Sequence, residues 1–462
     1  VDRSQIERVC GMLFSSFEFL FRFLPVFLVI YYLTPKKFRN VTLLGGSIVF
    51  YTIGEAGYIT ILLACVLVNY VLARWMYRKN TDGRGIRQKR LLLLALGYDL
   101  GVLFFFKYSG LASGLPLGIS FYTFQIMAYV IDVYRGRIPA EQSLLRLGTY
   151  LTMFPQLISG PITNYADVRV ALGRERTIKA RQLEEGMKLL IIGLAAKVVI
   201  ADRIGTLWNS IRMIGFDSIS TKLAWMGAFA YSLQLYFDFA GYSMMARGIG
   251  KMLGFELPVN FRYPYISKSV TEFWRRWHIT LGRWFREYVY IPLGGNRKGK
   301  ARTFFNLFVV WSLTALWHGA NYNFLIWGGI LLCCLLAEKL FLLRLLDKSR
   351  VIGHLYVLFV VPLSWVAFAV TDLSELGVYM TRLFPFAGHT AGVINHLDYL
   401  KYLNDYAPLF LLGVLFATPL PETCYRLIER KWIGRVILLG IFGLCMYYLA
   451  VSANNPFLYF NF

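Results

Sequence analysis

The chain has 462 residues, of which 57% are hydrophobic, 17% aromatic and only 16% charged, with a mean hydropathy of +0.51. Soluble domains carry about 25% charged residues, so this composition excludes a string of soluble domains. The formal charge of +23, from 49 Lys+Arg against 26 Asp+Glu, sits between apolar runs. That placement reads more simply as cytoplasmic loops with some attraction to anionic headgroups and acidic cofactors, and no nucleic-acid partner is expected.

Residues 1–11 are polar and read as a leader or remnant before Met12, and 12–462 as a single membrane domain. Apolar runs follow in order at Leu13–Leu33, Val41–Ile53, Tyr58–Trp75, Leu91–Tyr108, Leu115–Val133, Tyr150–Ile162 and Met187–Ala201. They continue at Leu223–Gly241, Phe304–Trp317, Phe324–Leu343, Leu355–Val370, Leu409–Thr418 and Ile433–Val451. No small-residue cleavage site follows the first run, so it reads as a retained helix. At about 20 residues per crossing the chain is predicted to be all-α and polytopic, with roughly 11 or more membrane helices. Several runs are too short to span alone, which predicts re-entrant segments beside a protein-lined cavity. Gly114-Leu-Pro116-Leu-Gly118 and Ser159-Gly-Pro161 fall inside apolar stretches and mark breaks there.

The basic loops are 74–90 with seven Lys/Arg, 174–188, and 262–302 with ten. Placing all three in the cytoplasm puts both the N-terminus and the C-terminus outside. Within the last loop, a helical period over 273–288 groups Phe273, Trp274, Trp277, Leu281, Trp284, Phe285 and Tyr288 on one arc. Arg275, Arg276, Arg283 and Arg286 fall opposite, so the spacing predicts one amphipathic helix lying at the cytoplasmic interface. Membrane anchoring alone explains such a face equally well. His278 sits at the edge of the aromatic arc.

Ionisable groups in apolar runs are costly and point to function or pairing. Here they are Asp99, Lys107, Asp132, Lys197, Asp238, His318 and Glu338. The six cysteines have neither zinc-clip nor redox spacing, so no metal and no disulfide is expected. Histidine is the side chain that titrates near neutrality, and there are five. His354, His389 and His396 lie at segment edges or in loops and read as structural or solvated. His318 ends the run Trp311–Trp317, and Gly319-Ala-Asn321 breaks the helix after it. A packed core histidine and a catalytic one both fit that pattern.

These residues fall in motifs that resemble the membrane-bound O-acyltransferase family, in its bacterial branch of alginate and peptidoglycan O-acetylation proteins. The motifs include Gly118-Ile-Ser-Phe-Tyr-Thr-Phe-Gln125, Phe154-Pro-Gln-Leu-Ile-Ser-Gly-Pro161 and Tyr236-Phe-Asp238-Phe-Ala-Gly-Tyr-Ser243. Further on they are Asn260-Phe-Arg-Tyr-Pro-Tyr265, Phe273-Trp-Arg-Arg-Trp-His278, Tyr290-Ile-Pro-Leu-Gly-Gly-Asn296 and Leu316-Trp-His318-Gly-Ala-Asn321. Many members read Gly-Tyr-Ser-Asp-Met where this chain has Gly241-Tyr-Ser-Met244-Met245.

The resemblance implies an acyltransferase built around a central tunnel in the bacterial cytoplasmic membrane, with His318 essential and His278 its partner. Moving an acyl group from a thioester to a hydroxyl needs a base, and neutral imidazole serves at pH 7. Asp238, Asn260 and Asn321 are candidates to orient the imidazoles or to donate to the oxyanion. Arg275, Arg276, Arg283, Arg286, Arg297 and Lys298 are candidates to hold the phosphates of acetyl-CoA.

The tail Asn454–Phe462 is expected outside, where its aromatic residues need a cover. It resembles the ends of this bacterial branch and a small partner peptide of teichoic acid D-alanylation. Phe457, Leu458, Phe460 and Phe462 are expected to pack in the tunnel mouth. Tyr459 would then accept the acetyl group, for an exported esterase-like transferase of the SGNH type to pass on; a simple packed plug is the alternative. D-alanyl transfer to teichoic acid, a transporter or flippase, and a noncatalytic scaffold stay open as readings of the whole chain.

Overall fold

In a computed structural model, residues 12–77, 85–111, 114–387 and 394–451 are described, and among them the regular secondary structure is all helix with no strand. The first half forms α1 Leu24–Leu33, α2 Arg39–Glu55, α3 Ile59–Met76, α4 Ile86–Tyr108, α5 Ile119–Tyr134, α6 Leu144–Thr152, α7 Tyr165–Gly173 and α8 Ala180–Ala195. Then come α9 Asp202–Ile214, α10 Thr221–Met252, α11 Val270–Arg276, α12 Ile279–Phe285, α13 Gly299–His318 and α14 Tyr322–Ala337. The last are α15 Arg350–Ala369, α16 Leu373–Leu383, α17 Asp398–Phe416, α18 Leu420–Arg426 and α19 Trp432–Val451. The tail at 454–462, with Tyr459, and the leader at 1–11 lie outside the described residues.

Polar side chains start several of these helices. Ser143 Oγ accepts from Arg146 N–H at α6, Ser269 Oγ from Glu272 N–H at α11, and an Asp372 carboxylate oxygen from Glu375 N–H at α16. At α7, Asn164 and Asp167 exchange bonds as a capping box. Each cap satisfies an N–H that the helix cannot, which is obligatory where water is absent.

Five stretches are long and apolar enough to cross a membrane: Lys36–Met76, Ile86–Tyr108, Tyr322–Leu346, Arg350–Ala369 and Trp432–Val451. The pair α17 and α18, bent by 69°, adds a sixth if counted as one span. Eleven do not meet that criterion among the described residues. Other apolar runs are spent on protein: α5 buries 14 of its 16 residues, so its length serves packing rather than lipid contact. The expected breaks fall where Gly and Pro put them. Gly118 opens α5 at φ 73°, and a Cβ there would lie 2.2 Å from the Leu157 carbonyl oxygen.

The described chain divides into two compact units, one built from residues up to 194 with 242–259, the other from 195–241 with 260–451. The first has an aromatic core in which Phe14 stacks on Tyr242 at 4.7 Å and Phe154 meets Phe27 edge-on at 5.2 Å. The second centres on tryptophans: Trp277 and Trp365 lie 4.9 Å apart, and Trp274 and Trp311 5.0 Å.

One sequence expectation is corrected. The amphipathic helix over 273–288 is not continuous: α11 ends at Arg276, Trp277 is extended, and His278 turns into the left-handed region at φ 42°, ψ 53° before α12 begins. The two-sidedness survives the break, with Phe273, Trp277, Leu281, Trp284, Phe285 and Tyr288 buried and Arg275 and Arg286 exposed. The cause of the break is the neighbouring segment 260–262, which captures backbone groups a continuous helix would pair.

Within the first unit, α8 and α10 approach through Gly186 and Gly248. A Cβ on Gly248 would sit 2.5 Å from the Gly186 carbonyl oxygen, and one on Gly186 2.7 Å from that of Gly248. Without a side chain at either position the two helix backbones can come this close. Gly248→Ala is therefore expected to cost about 1–3 kcal/mol through forced separation of the helices, read as a lowered melting temperature of the purified protein.

Candidate functional site

His278 is the best-defined part of the site, and Asn260 defines it. In a continuous helix, the N–H groups of Ile279 and Thr280 would bond to the carbonyls of Arg275 and Arg276. Instead Ile279 N–H donates to the Asn260 carbonyl at 2.9 Å, and Arg262 N–H takes the Arg276 carbonyl at 2.9 Å. The Asn260 side-chain oxygen accepts from Thr280 N–H at 3.3 Å and from Thr280 Oγ1 at 2.9 Å, and lies 3.0 Å from His278 Nδ1.

This geometry assigns a tautomer. A backbone N–H can only donate, so the amide atom facing Thr280 is the oxygen. An oxygen only accepts, so His278 Nδ1 carries the hydrogen, and Nε2 of the neutral ring holds the lone pair. The ring is 2% exposed and edge-on to Phe239 at 4.7 Å. Burial pushes its pKa well below the usual histidine range, because a charged imidazolium loses its hydration there.

His318 closes α13, and Gly319 follows in an extended conformation. Its imidazole, 4% exposed, is enclosed by rings: Trp317 at 4.7 Å, Trp327 and Phe368 each at 5.0 Å, and Phe324 at 6.0 Å. A Cβ on residue 319 would come within 2.5 Å of Phe324, so glycine is what allows that ring to close over the histidine. Trp317 also lies 6.4 Å from His278, so the two imidazoles share it as a neighbour.

The remaining candidates are distributed unevenly. Asp238, buried on α10, lies 2.7 Å from Lys197 Nζ, and the same ammonium lies 2.7 Å from Asp202. Asn321 is exposed at the N-cap of α14 and makes no side-chain capping bond. Arg276 is tied to Glu272 at 2.8 Å, and Arg286 lies 3.5 Å from Glu287. Arg275, Arg297 and Lys298 are exposed, and Arg283 is half-buried. His354 Nδ1 is 3.2 Å from the Ser267 carbonyl and His396 is exposed, while His389 lies outside the described residues.

Sequence reasoning missed the part Glu338 plays here. Its carboxylate, 1% exposed, accepts from Val270 N–H at 2.6 Å and Thr271 N–H at 2.9 Å. It thereby holds the start of α11, the helix that delivers His278. The signal present in the sequence was an ionisable residue inside an apolar run; its backbone partners lie 67 and 68 positions away.

A multi-pass helical chain with two buried histidines in an aromatic enclosure belongs to the membrane-bound O-acyltransferase family, whose pattern it matches over residues 134–371. It is an integral membrane acyltransferase.

Among its relatives is a probable alginate O-acetylase, AlgI, of Pseudomonas putida, 35% identical over 98% of this chain and 100% of the relative. A peptidoglycan O-acetyltransferase of Helicobacter pylori is 30% identical over 99% of each. A teichoic acid D-alanyltransferase of Bacillus subtilis is 32% identical over 47% of this chain and 58% of its own length.

The depressed His278 pKa has a thermodynamic consequence with a definite sign. The folded state keeps His278 neutral while the unfolded chain protonates near pH 6.5, so below that pH the unfolded state binds the extra proton and stability falls. Each unit of pH below about 6.5 is expected to remove up to about 1.4 kcal/mol by this route. Thermal unfolding from pH 7.5 to 5 should therefore show a steeper acid loss in the wild type than in His278→Gln.

Proposed function

We propose that the chain transfers an acetyl group from a cytoplasmic thioester, acetyl-CoA, across the bacterial cytoplasmic membrane for O-acetylation of a cell-surface polysaccharide. The observation that carries this reading is the pair of buried imidazoles sharing Trp317, in a chain whose full-length relatives bear the names alginate O-acetylase and peptidoglycan O-acetyltransferase. The wider architecture proposed with it has roughly 11 or more membrane helices around a central tunnel and a C-terminus outside.

His318 is the proposed general base. Its neutral imidazole takes the proton of the accepting hydroxyl as the oxygen attacks the thioester carbonyl. The tetrahedral intermediate then collapses, the C–S bond breaks, and the thiolate leaves with the proton from the imidazolium, so no net proton is consumed. His278, its Nδ1–H directed to Asn260, is the partner imidazole. Asp238 and Asn321 are the weaker candidates for orientation or oxyanion contact. The donor's phosphates are assigned to Arg275, Arg276, Arg283, Arg286, Arg297 and Lys298, whose planar or point charges suit them.

His318→Gln should lower acetyl transfer by roughly 10²-fold to 10⁴-fold at equal folded protein. His278→Ala should rank second among the histidines and exceed His354→Ala. Near-normal turnover by His318→Gln in reconstituted membranes rejects the assignment. The teichoic acid relative motivates offering a D-alanyl carrier-protein thioester alongside acetyl-CoA, and preference for the former redirects the donor assignment.

Tyr459 is the proposed first acceptor, forming a tyrosyl acetate that an exported SGNH-type transferase passes to the polymer. Tyr459→Phe keeps the ring and deletes only the hydroxyl. It is expected to abolish polymer acetylation while leaving expression unchanged; full polymer acetylation, measured as ester released by mild base, leaves the tail as a plug alone.

A further inference from the structure

Two arginines of the first unit are buried beside one another without an acid among the described residues. Arg39, the first residue of α2, is 9% exposed, and Arg176, just beyond α7, is 6% exposed. Arg176 donates from Nε to Tyr31 Oη at 3.0 Å, and from Nη1 to Asn40 Oδ1 at 2.8 Å and to the Ala171 carbonyl at 2.9 Å. Arg39 Nη1 donates to the carbonyl of Arg176 itself at 2.6 Å. Both guanidiniums lie over the Tyr31 ring, at 5.3 and 6.0 Å, and Arg176 also meets Phe255 at 4.6 Å.

Every one of those partners is neutral. Among the described residues Arg39 Nε and Arg176 Nη2 have no hydrogen-bond acceptor, and Glu175, adjacent in sequence, is exposed and pairs with neither arginine. Two cations have thus been taken out of water together, which is costly for each ion even before their mutual repulsion is counted. The end of α7 offsets part of this through the Ala171 carbonyl, but a helix terminus supplies only about half an elementary charge. Lys36 and Lys37, exposed on the turn before Arg39, add positive charge. That turn also begins the candidate span Lys36–Met76, which places the pair at the end of a membrane helix.

We propose that Arg39 and Arg176 form a binding site for a phosphate group, with Lys36 and Lys37 at its entrance. Both guanidiniums are already fixed by carbonyls and Tyr31, so little side-chain freedom is lost on binding, and the unused Arg39 Nε and Arg176 Nη2 are left to donate to phosphate oxygens. The chemistry is shared by a lipid headgroup phosphate at the interface and by a soluble phosphate, and it does not depend on the acyl-transfer reading.

The test is thermal unfolding of the full chain in a maltoside detergent, which contains no phosphate. One arm titrates inorganic phosphate against chloride at matched ionic strength; the other adds phosphatidylglycerol against an uncharged glycolipid. At least one arm is expected to raise the wild-type melting temperature by a few degrees, and Arg39→Gln to lose most of that rise. A response to phosphate alone identifies a soluble ligand, and a response to phosphatidylglycerol alone identifies a headgroup. Should Arg39→Gln not fold, Arg39→Lys, which keeps the charge but not the fork, is expected to respond more weakly than wild type. An unchanged wild-type melting temperature in both arms overturns the site and leaves the arginines as carbonyl caps, as does a full response in every folded Arg39 variant.

Discussion

A backbone N–H sealed from water must find an acceptor, and at the candidate site Asn260 is that acceptor. By receiving Ile279 N–H on its carbonyl and Thr280 N–H on its side chain, it ends one helix and starts the next. The geometry at His278 follows from that diversion. The left-handed turn at φ 42°, a conformation that L residues adopt at a cost of order 1–3 kcal/mol, persists because the bonds on both sides of it over-determine it. The protonated Nδ1 then follows because the same oxygen faces the ring. One amide thus sets the backbone path, the ring orientation and the tautomer.

The buried charges of the second unit obey the same accounting. Lys197 is held between Asp238 and Asp202, and Glu338 is held by two N–H groups at the head of α11. In a low-dielectric interior, removing one partner from such an arrangement strands the other, so these contacts resist change more strongly than they stabilise the fold. They also share a target. Asp238 is followed on α10 by Phe239, which is edge-on to His278, and Glu338 anchors the helix that leads to it. Of the ionisable residues inside apolar runs, Glu338 directly and Asp238 through its neighbour Phe239 therefore bear on the histidine site. Arg39 and Arg176 contrast with these pairs, since neutral groups alone hold them.

Much of this was legible in the chain. The apolar runs became helices, the Gly and Pro clusters became breaks, and His318 ended its helix before Gly319 as the pattern required. Asn260 and His278 stood out through their motifs. The amphipathic period over 273–288 was real as a pattern of burial but misleading as a statement of continuity, because periodicity records which side of the chain meets apolar neighbours and is blind to a bond arriving from 18 residues away. The count of spans, of which five or six are long and apolar enough among the described residues, turns on a related point: an apolar run facing lipid and one facing protein have the same composition, and α5 is of the second kind.

What the sequence by itself determined was the solvent, the helical class, the family motifs and the identity of the titratable groups, since these follow from local composition and spacing. Which of those groups lost contact with water, and beside whom, was decided only in the tertiary structure. Glu338 reaching the N–H groups of Val270 and Thr271, Arg39 meeting the carbonyl of Arg176, and Asn260 turning His278 all join residues distant along the chain. The free energy of burying a polar group depends on the partner it finds there, and no window of sequence contains both.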